Sequence, residues 1–246
     1  MSQARLASQP VQAQEQVSLF AQTAQPSLFG SFAQQATDGQ GTLACQLDEP
    51  LTQAVFTVMD LETTGLNAKR NAITEIAALQ YRNGEMIKRF VTLVKPAEII
   101  PEEIEQFTGI TNEMVKSAPA TVMALSDLGA FIGEQPIIVG HNIGFDINFV
   151  REKFQQNGLG LFADRTLLSR ALCTKVLAQK IMPGLPSYEG IVVATSCGVI
   201  NPNPHRAEND VKMSADILFA LIQRLQEQNP GIRTARDLLA YQGVLG

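Results

Sequence analysis

The sequence predicts an α/β sandwich built on a mixed sheet, and three observations carry that expectation. Three strand-like runs come early: "AVFTVMDLE" from residue 54, "ITEIAALQY" from 73 and "MIKRFVTLV" from 86. The last two are separated by "RNGE", and an Asn-Gly between such runs is a strong hairpin signal. A further apolar run, "PIIVGHN", then opens an alternation of strand and helix patterns. Strands first, then strands alternating with helices, stack helices against a sheet of mixed direction.

In chain order, residues 1–50 differ from the rest. They hold eleven Gln and eight Ala, with Arg5 the one basic residue and no sustained period. The prediction is a flexible tail. A folded domain is expected over 51–230, and 231–246 form a short extension that the pattern leaves without a role. "AVFTVMDLE" is apolar on both faces and suits a central strand covered on both sides. "PEEIEQF" opens on Pro and acids, as a helix start does, and a second helix is expected over Thr121 to Ile132. "GFDINFVREKFQQNG" has helical spacing through Phe145, Phe149 and Phe154 and stops at Gly158. Helices are also predicted from Thr166 to Gln179 and from Ala207 to Gln228, and one short helix within "GIRTARDLLAYQGVLG".

The chain has 246 residues, 45% of them hydrophobic, enough for a sizeable core. Cys45, Cys173 and Cys197 lie far apart without metal-ligand or disulfide spacing, which suits reduced thiols in the cytoplasm. Neither a signal peptide nor a membrane span is indicated, so no membrane partner is expected. A formal charge of −5 argues against coating duplex nucleic acid; a nucleic-acid partner would be gripped locally.

The chemistry sits in the acids. Side chains two apart on a strand share a face, so Asp60 and Glu62 continue the row of Phe56 and Val58, with α-carbons about 7 Å apart. Buried and unpaired, they would need protons, basic partners or a cation. Asp146 falls in the first turn of the helix after "PIIVGHN", again at the C-terminal edge of the sheet. Asp210 heads a helical stripe continued by Ser214, Ile217, Leu218 and Leu221, and His205 lies just before it, after "NPNP". Each acid has a plainer reading: Asp60 and Glu62 as solvated loop residues, Asp146 and Asp210 as complements to a helix dipole, His205 as a surface residue. Taken together they make an oxygen-ligand set, which selects a hard cation such as Mg²⁺ or Mn²⁺ over zinc. Two such ions about 3.5 to 4 Å apart are the usual apparatus for in-line attack on a phosphodiester, with a nearby histidine to take the proton. A glycosidase, the other common use of paired carboxylates, is disfavoured by the lack of Trp and by only three Tyr.

"MDLETTG" with Asp60 and Glu62, "HNIGFDINF" with Asp146, and "HRAENDVKMSA" with His205 and Asp210 resemble, in set and order, the three signature segments of DEDDh-type 3′–5′ exonucleases. That family includes the proofreading subunit of bacterial DNA polymerase III, ribonuclease T and the mammalian three-prime repair exonucleases. The match spans roughly residues 54 to 228, with "TGITNEMV" at Thr108 to Val115 also similar. The resemblance implies a ribonuclease H-like fold: a mixed five-stranded sheet with helices on both faces, preceded by the disordered tail. It implies two metal ions held by Asp60, Glu62 and Asp210, with Asp146 acting mainly through water and His205 as general base. It also implies release of 5′-mononucleotides from the 3′ ends of single-stranded or frayed DNA, with Thr63, Thr64 and Gly65 lining the nucleotide pocket and His141 as a structural hydrogen-bonder. "SYEGIVVATSCGV", from Ser187 to Val199, departs from the family and leaves helix placement there open, away from the catalytic residues.

The tail repeats one pentapeptide nine residues apart, "QVSLF" from Gln16 to Phe20 and "QPSLF" from Gln25 to Phe29, exposing Leu-Phe pairs as docking points. These resemble the peptides with which bacterial replication proteins dock on the DNA sliding clamp. Gln16, Leu19, Phe20, Gln25, Leu28 and Phe29 would be the contacts, and the replicative polymerase a further partner. Two weak sites on one arm gain from effective concentration. The expected function is a DNA 3′–5′ exonuclease in proofreading or repair. An RNA 3′-end-trimming enzyme of the same family stays open, as does a non-catalytic clamp-bound adaptor, though the loss of acids that marks such adaptors is absent.

Overall fold

β1 (Val55–Thr63) is the spine of a five-stranded sheet, because its apolar side chains on both faces can be buried only in the middle of one. The computed structural model describes residues 46–133, 136–159, 170–200, 205–243 and 245. The two tail pentapeptides lie outside the described residues. β2 (Ile73–Arg82) and β3 (Glu85–Leu93) pair antiparallel outward from β1, while β4 (Ile137–Gly140) and β5 (Ala171–Cys173) add parallel on its other side, giving the order β3-β2-β1-β4-β5. The hairpin between β2 and β3 turns on Asn83 and Gly84, whose φ angles of 51° and 82° meet the demand for two positive values in a tight two-residue loop.

Alternation along the strands builds two cores. Phe56, Val58, Ala77, Leu79 and Val139 point to one face, covered by α5 (Thr174–Ile181), α6 (Gly190–Ser196), α7 (Ala207–Gln228) and α8 (Ala235–Gln242). Met59, Leu61, Ile76, Ala78 and Ile138 point to the other, covered by α3 (Thr121–Ile132) and α4 (Gly144–Gln156). α1 (Glu102–Thr108) and α2 (Asn112–Val115) enclose a small cluster of Ile100, Ile110 and Val115. This is the ribonuclease H-like mixed sheet with helices on both faces. Among the described residues no helix is long and apolar enough to cross a membrane.

Two elements differ from the sequence expectation, and a third fills a stretch that it left open. The helix expected from Thr166 to Gln179 starts at Thr174, because Ala171–Cys173 instead pair with β4 as β5; residues 160–169 lie outside the described residues. Three buried residues are too few to show a period, and pairing to a neighbour decides their conformation. Residues 190–196 form α6 despite their β-branched run, since Val193 and Ala194 are buried against the core. Residues 46–50, grouped with the tail by composition, join the C-terminal segment: Pro50 forms an antiparallel bridge with Thr234, and Arg236 pairs with Asp48 at 2.5 Å. α8 also guards the sheet edge. The Gln242 amide accepts from Cys173 N–H at 2.6 Å and donates to Ala171 O at 3.0 Å, where a sixth strand would pair.

Candidate active site

β1 runs past the end of the short β4, whose last partner pair is Val58 with Val139. The N–H of Leu61 therefore needs another acceptor, and Asp146 in the first turn of α4 provides it at 3.1 Å. Gly140, at the turn into α4, is forced by space: a Cβ there would lie 2.9 Å from Met59 O. This packing brings Asp146, only 3% exposed, alongside the acidic end of β1.

Asp60 and Glu62 lie on the face covered by α7, opposite Ala77 and Glu75 on β2. α7 begins with Arg206 at its N-cap, which offers no side-chain acceptor. Glu75 supplies one instead, accepting from Ala207 N–H at 3.0 Å and from the Arg206 guanidinium at 2.7 and 3.2 Å. One turn on, Asp210 reaches the cluster: Asp60, Glu62 and Asp210 each offer a carboxylate oxygen, all within 4.8 Å of one another. Asp146 stands beside this group of three, held on Leu61. His205 adopts φ 65°, donates its N–H to Asp210 Oδ2 at 2.9 Å, and stacks its ring 4.0 Å from that of Phe107 on α1. Asp60, His205 and Asp210 line one cleft of about 480 Å³ with His141, Met213 and the Glu189–Ile191 turn at the start of α6. The stretch that the sequence reading placed away from the candidate catalytic residues thus lines the same cleft as Asp60, His205 and Asp210.

The loop after β1 is bonded internally. Thr63 Oγ1 donates to Gly65 O at 2.7 Å; the Thr64 hydroxyl donates to Glu98 and accepts from Ala72 N–H at 2.9 Å. A Cβ on Gly65 would meet the Asn71 side chain at 2.8 Å, so glycine allows the loop to close. Both hydroxyls are thus engaged within the protein. His141 is also fully used: Nε2 faces Tyr188 O at 2.9 Å, and since a carbonyl only accepts, that nitrogen carries the proton. Nδ1 then accepts from the Thr174 hydroxyl at 2.9 Å, and burial holds the ring's pKa below its usual range.

The electrostatics are those of several carboxyls crowded together out of water. Burial, then the charges of Asp146, Glu62 and Asp210, hold the Asp60 carboxyl well above the usual range. Glu62 is pushed up to about 8 by burial and by Asp210, Glu75 and Asp146, against which Arg206 gives partial relief. Asp146 rises to about 8 through burial, moderated by backbone N–H donors including Leu61. Arg206, the cation at hand, is engaged by Glu75. Carboxylates that would rather hold protons than face one another fit an oxygen-preferring divalent cation.

Glu75, Arg206, Phe107 and the Glu189–Ile191 turn escaped the sequence reading. Glu75 did leave a signal, as an acid inside the apolar strand "ITEIAAL". Phe107 and Ile191 left none, since an exposed apolar residue is ordinary in a sequence.

A family model described as exonuclease, RNase T, matches residues 57–218. DNA polymerase III subunit epsilon of Aquifex aeolicus is 32% identical over 180 residues, covering 73% of this chain and 86% of that protein. PolC-type DNA polymerase III of Halalkalibacterium halodurans is 31% identical over 202 residues, 82% of this chain but 14% of that much longer protein. The solved structure of E. coli exonuclease I in complex with a dA16 oligonucleotide aligns with a TM-score of 0.62 at 20% identity, covering 77% of this chain and 43% of that one, a likeness of fold. With the family model spanning well over half its length, and most of an epsilon subunit matched beyond 30% identity, the chain belongs to the RNase T exonuclease family.

Proposed function

We propose that the protein is a DEDDh-type 3′–5′ exonuclease that removes mononucleotides from DNA 3′ ends in proofreading or repair. The observation that carries this reading is the convergence of Asp60, Glu62 and Asp210, with carboxylate oxygens within 4.8 Å of one another, beside a cleft that Asp60 and Asp210 line together with His205. Two Mg²⁺ or Mn²⁺ ions held by these carboxylates, with Asp146 nearby, would supply Lewis acidity toward the phosphodiester. His205 takes the proton of the attacking water, and His141, with both nitrogens engaged, does not compete for that role. The loop Thr63–Gly65 borders the terminal nucleotide through its backbone. The epsilon relative's place in a DNA polymerase favours DNA over RNA.

The test is a 5′-labelled single-stranded DNA and an RNA of equal sequence, each with millimolar Mg²⁺ or Mn²⁺. Expected is a ladder shortening from the 3′ end on DNA, none with chelator, none with Asp60→Ala, and a loss of about 10²–10⁴-fold with His205→Ala. Preference for RNA would move the protein to 3′-end trimming, and intact substrates of both kinds would sink the nuclease reading.

The tail carries a second proposal, docking on the sliding clamp through Leu19, Phe20, Leu28 and Phe29, supported by the repeated pentapeptide. Replacing these four by Ala should weaken clamp binding in a surface-plasmon assay while hydrolysis of a short oligonucleotide is unchanged. Equal clamp binding by the two proteins removes the docking role.

A further inference from the structure

Glu75 is 2% exposed and sits opposite Glu62 in the β1–β2 register, so the two share a face with Cβ atoms about 5 Å apart. Its oxygens nonetheless turn toward the first residues of α7. Oε1 accepts from Arg206 Nη2, and Oε2 from Arg206 Nε and Ala207 N–H. A helix whose N-cap residue is arginine has unsatisfied N–H groups and a positive end, and an acid from a neighbouring strand answers both. The segment so held has Asp210 one turn into the helix and His205 immediately before it. His205 occupies the left-handed region, which costs a non-glycine residue and persists only where the surroundings hold it. Three contacts hold it: its own backbone N–H on Asp210, its ring against Phe107, and the ion pair at the next residue.

We propose that the Glu75–Arg206 pair is a positioning device that clamps the α7 half of the site, His205 and Asp210, against Asp60 and Glu62 on β1. Its catalytic meaning rests on the nuclease reading of the same site. Both are positioning residues: Glu75 spends its oxygens on Arg206 and Ala207, and Arg206 acts through the residues on either side of it. The rival account is electrostatic alone, with Arg206 merely diluting the negative charge of the cluster. The two accounts differ in sign. Arg206→Gln removes a positive charge beside Asp60, Glu62 and Asp210, so electrostatics alone would tighten Mn²⁺ binding. A loosened α7 end would weaken it, because Asp210 would no longer be held against the other two ligands. Losing the outer partner of a metal ligand costs about 10- to 100-fold in affinity or activity.

The experiment measures Mn²⁺ binding by calorimetry, and kcat and KM on a short single-stranded DNA, with the full chain well below its melting temperature. Arg206→Gln is expected to weaken Mn²⁺ about tenfold or more and to lower kcat about 10- to 100-fold, with KM within about twofold. Unchanged or tighter Mn²⁺ binding overturns the proposal, and so does a wild-type kcat. Should Arg206→Gln fail to fold, Arg206→Lys keeps the charge but not the two-pronged contact; intermediate losses in both measures support the clamp, and wild-type values overturn it. If the wild-type protein binds Mn²⁺ yet leaves DNA intact, the nuclease reading fails and the calorimetry alone decides the clamp.

Discussion

Glu62 and Glu75 face each other from adjacent strands, 8% and 2% exposed, and the protein treats them in opposite ways. Glu75 receives a guanidinium and a helix N–H; Glu62 receives two more carboxylates. Burial cannot explain the difference, since both are buried. The cause is what α7 brings to each: its first residues meet Glu75, and Asp210, one turn later, meets Glu62. A charge neutralised from within the fold becomes structure. A charge only partly relieved by Arg206, and grouped with two more carboxylates, is one that a cation could share.

The sharpest way to break this comparison is to neutralise each acid in turn. Glu62→Gln should remove measurable DNA cleavage and yet raise the melting temperature of the metal-free protein at pH 8, because it takes away repulsion with Asp60 and Asp210. Glu75→Gln should do the reverse in stability. It leaves Arg206 and the end of α7 half-paired, a loss of about 1–3 kcal/mol, less than for a fully buried pair because Arg206 stays partly in water. Cleavage should drop about 10- to 100-fold rather than vanish. Melting curves with chelator and an oligonucleotide assay check both. Shifts of the same sign in melting temperature would show that the two acids do not differ as argued.

The same contrast explains what could be read from sequence. Asp60 and Glu62 were legible because they interrupt an apolar row at period two, and Asp210 because it heads a helical stripe; these are local patterns. Thr121–Ile132 and the Asn83-Gly84 turn were legible for the same reason. Glu75 stood out as an anomaly, but its meaning depends on Arg206, 131 residues away. Such a pairing exists only once the sheet and α7 have been assembled. β5 was hidden because three residues carry no period, and α6 because burial of Val193 and Ala194 outweighs the weak helix preference of its β-branched run. Its cleft-facing turn was invisible for a related reason: Glu189 and Ile191 gain a role only from what lies opposite them.

An effect of pH sharpens the comparison further. Glu62 and Asp146 are pushed to about 8 in the folded protein, from ordinary values of 4.5 and 3.8. Between about pH 4.5 and 8 the folded state therefore holds more protons than the unfolded chain, and stability falls as pH rises through that window. Acids depressed in the fold act elsewhere. Glu208, held near 2 by Arg89 and Lys212, contributes stability that is present above about 4.5 and lost as pH falls toward 2. The melting temperature of the metal-free protein should accordingly drop from pH 5 to pH 8, by on the order of ten degrees or more, and then level off. Millimolar Mn²⁺ should offset the drop at pH 8 and do little at pH 5, because protons and the cation compete for the same oxygens. Glu62→Gln should flatten part of the slope, and Glu75→Gln should flatten it less, because it removes only one of the charges that push Glu62 up. A chelated wild-type protein whose melting temperature is level from pH 5 to pH 8 would mean that the cluster on β1 and α7 carries no unmet charge, and the distinction between the two glutamates would fall with it.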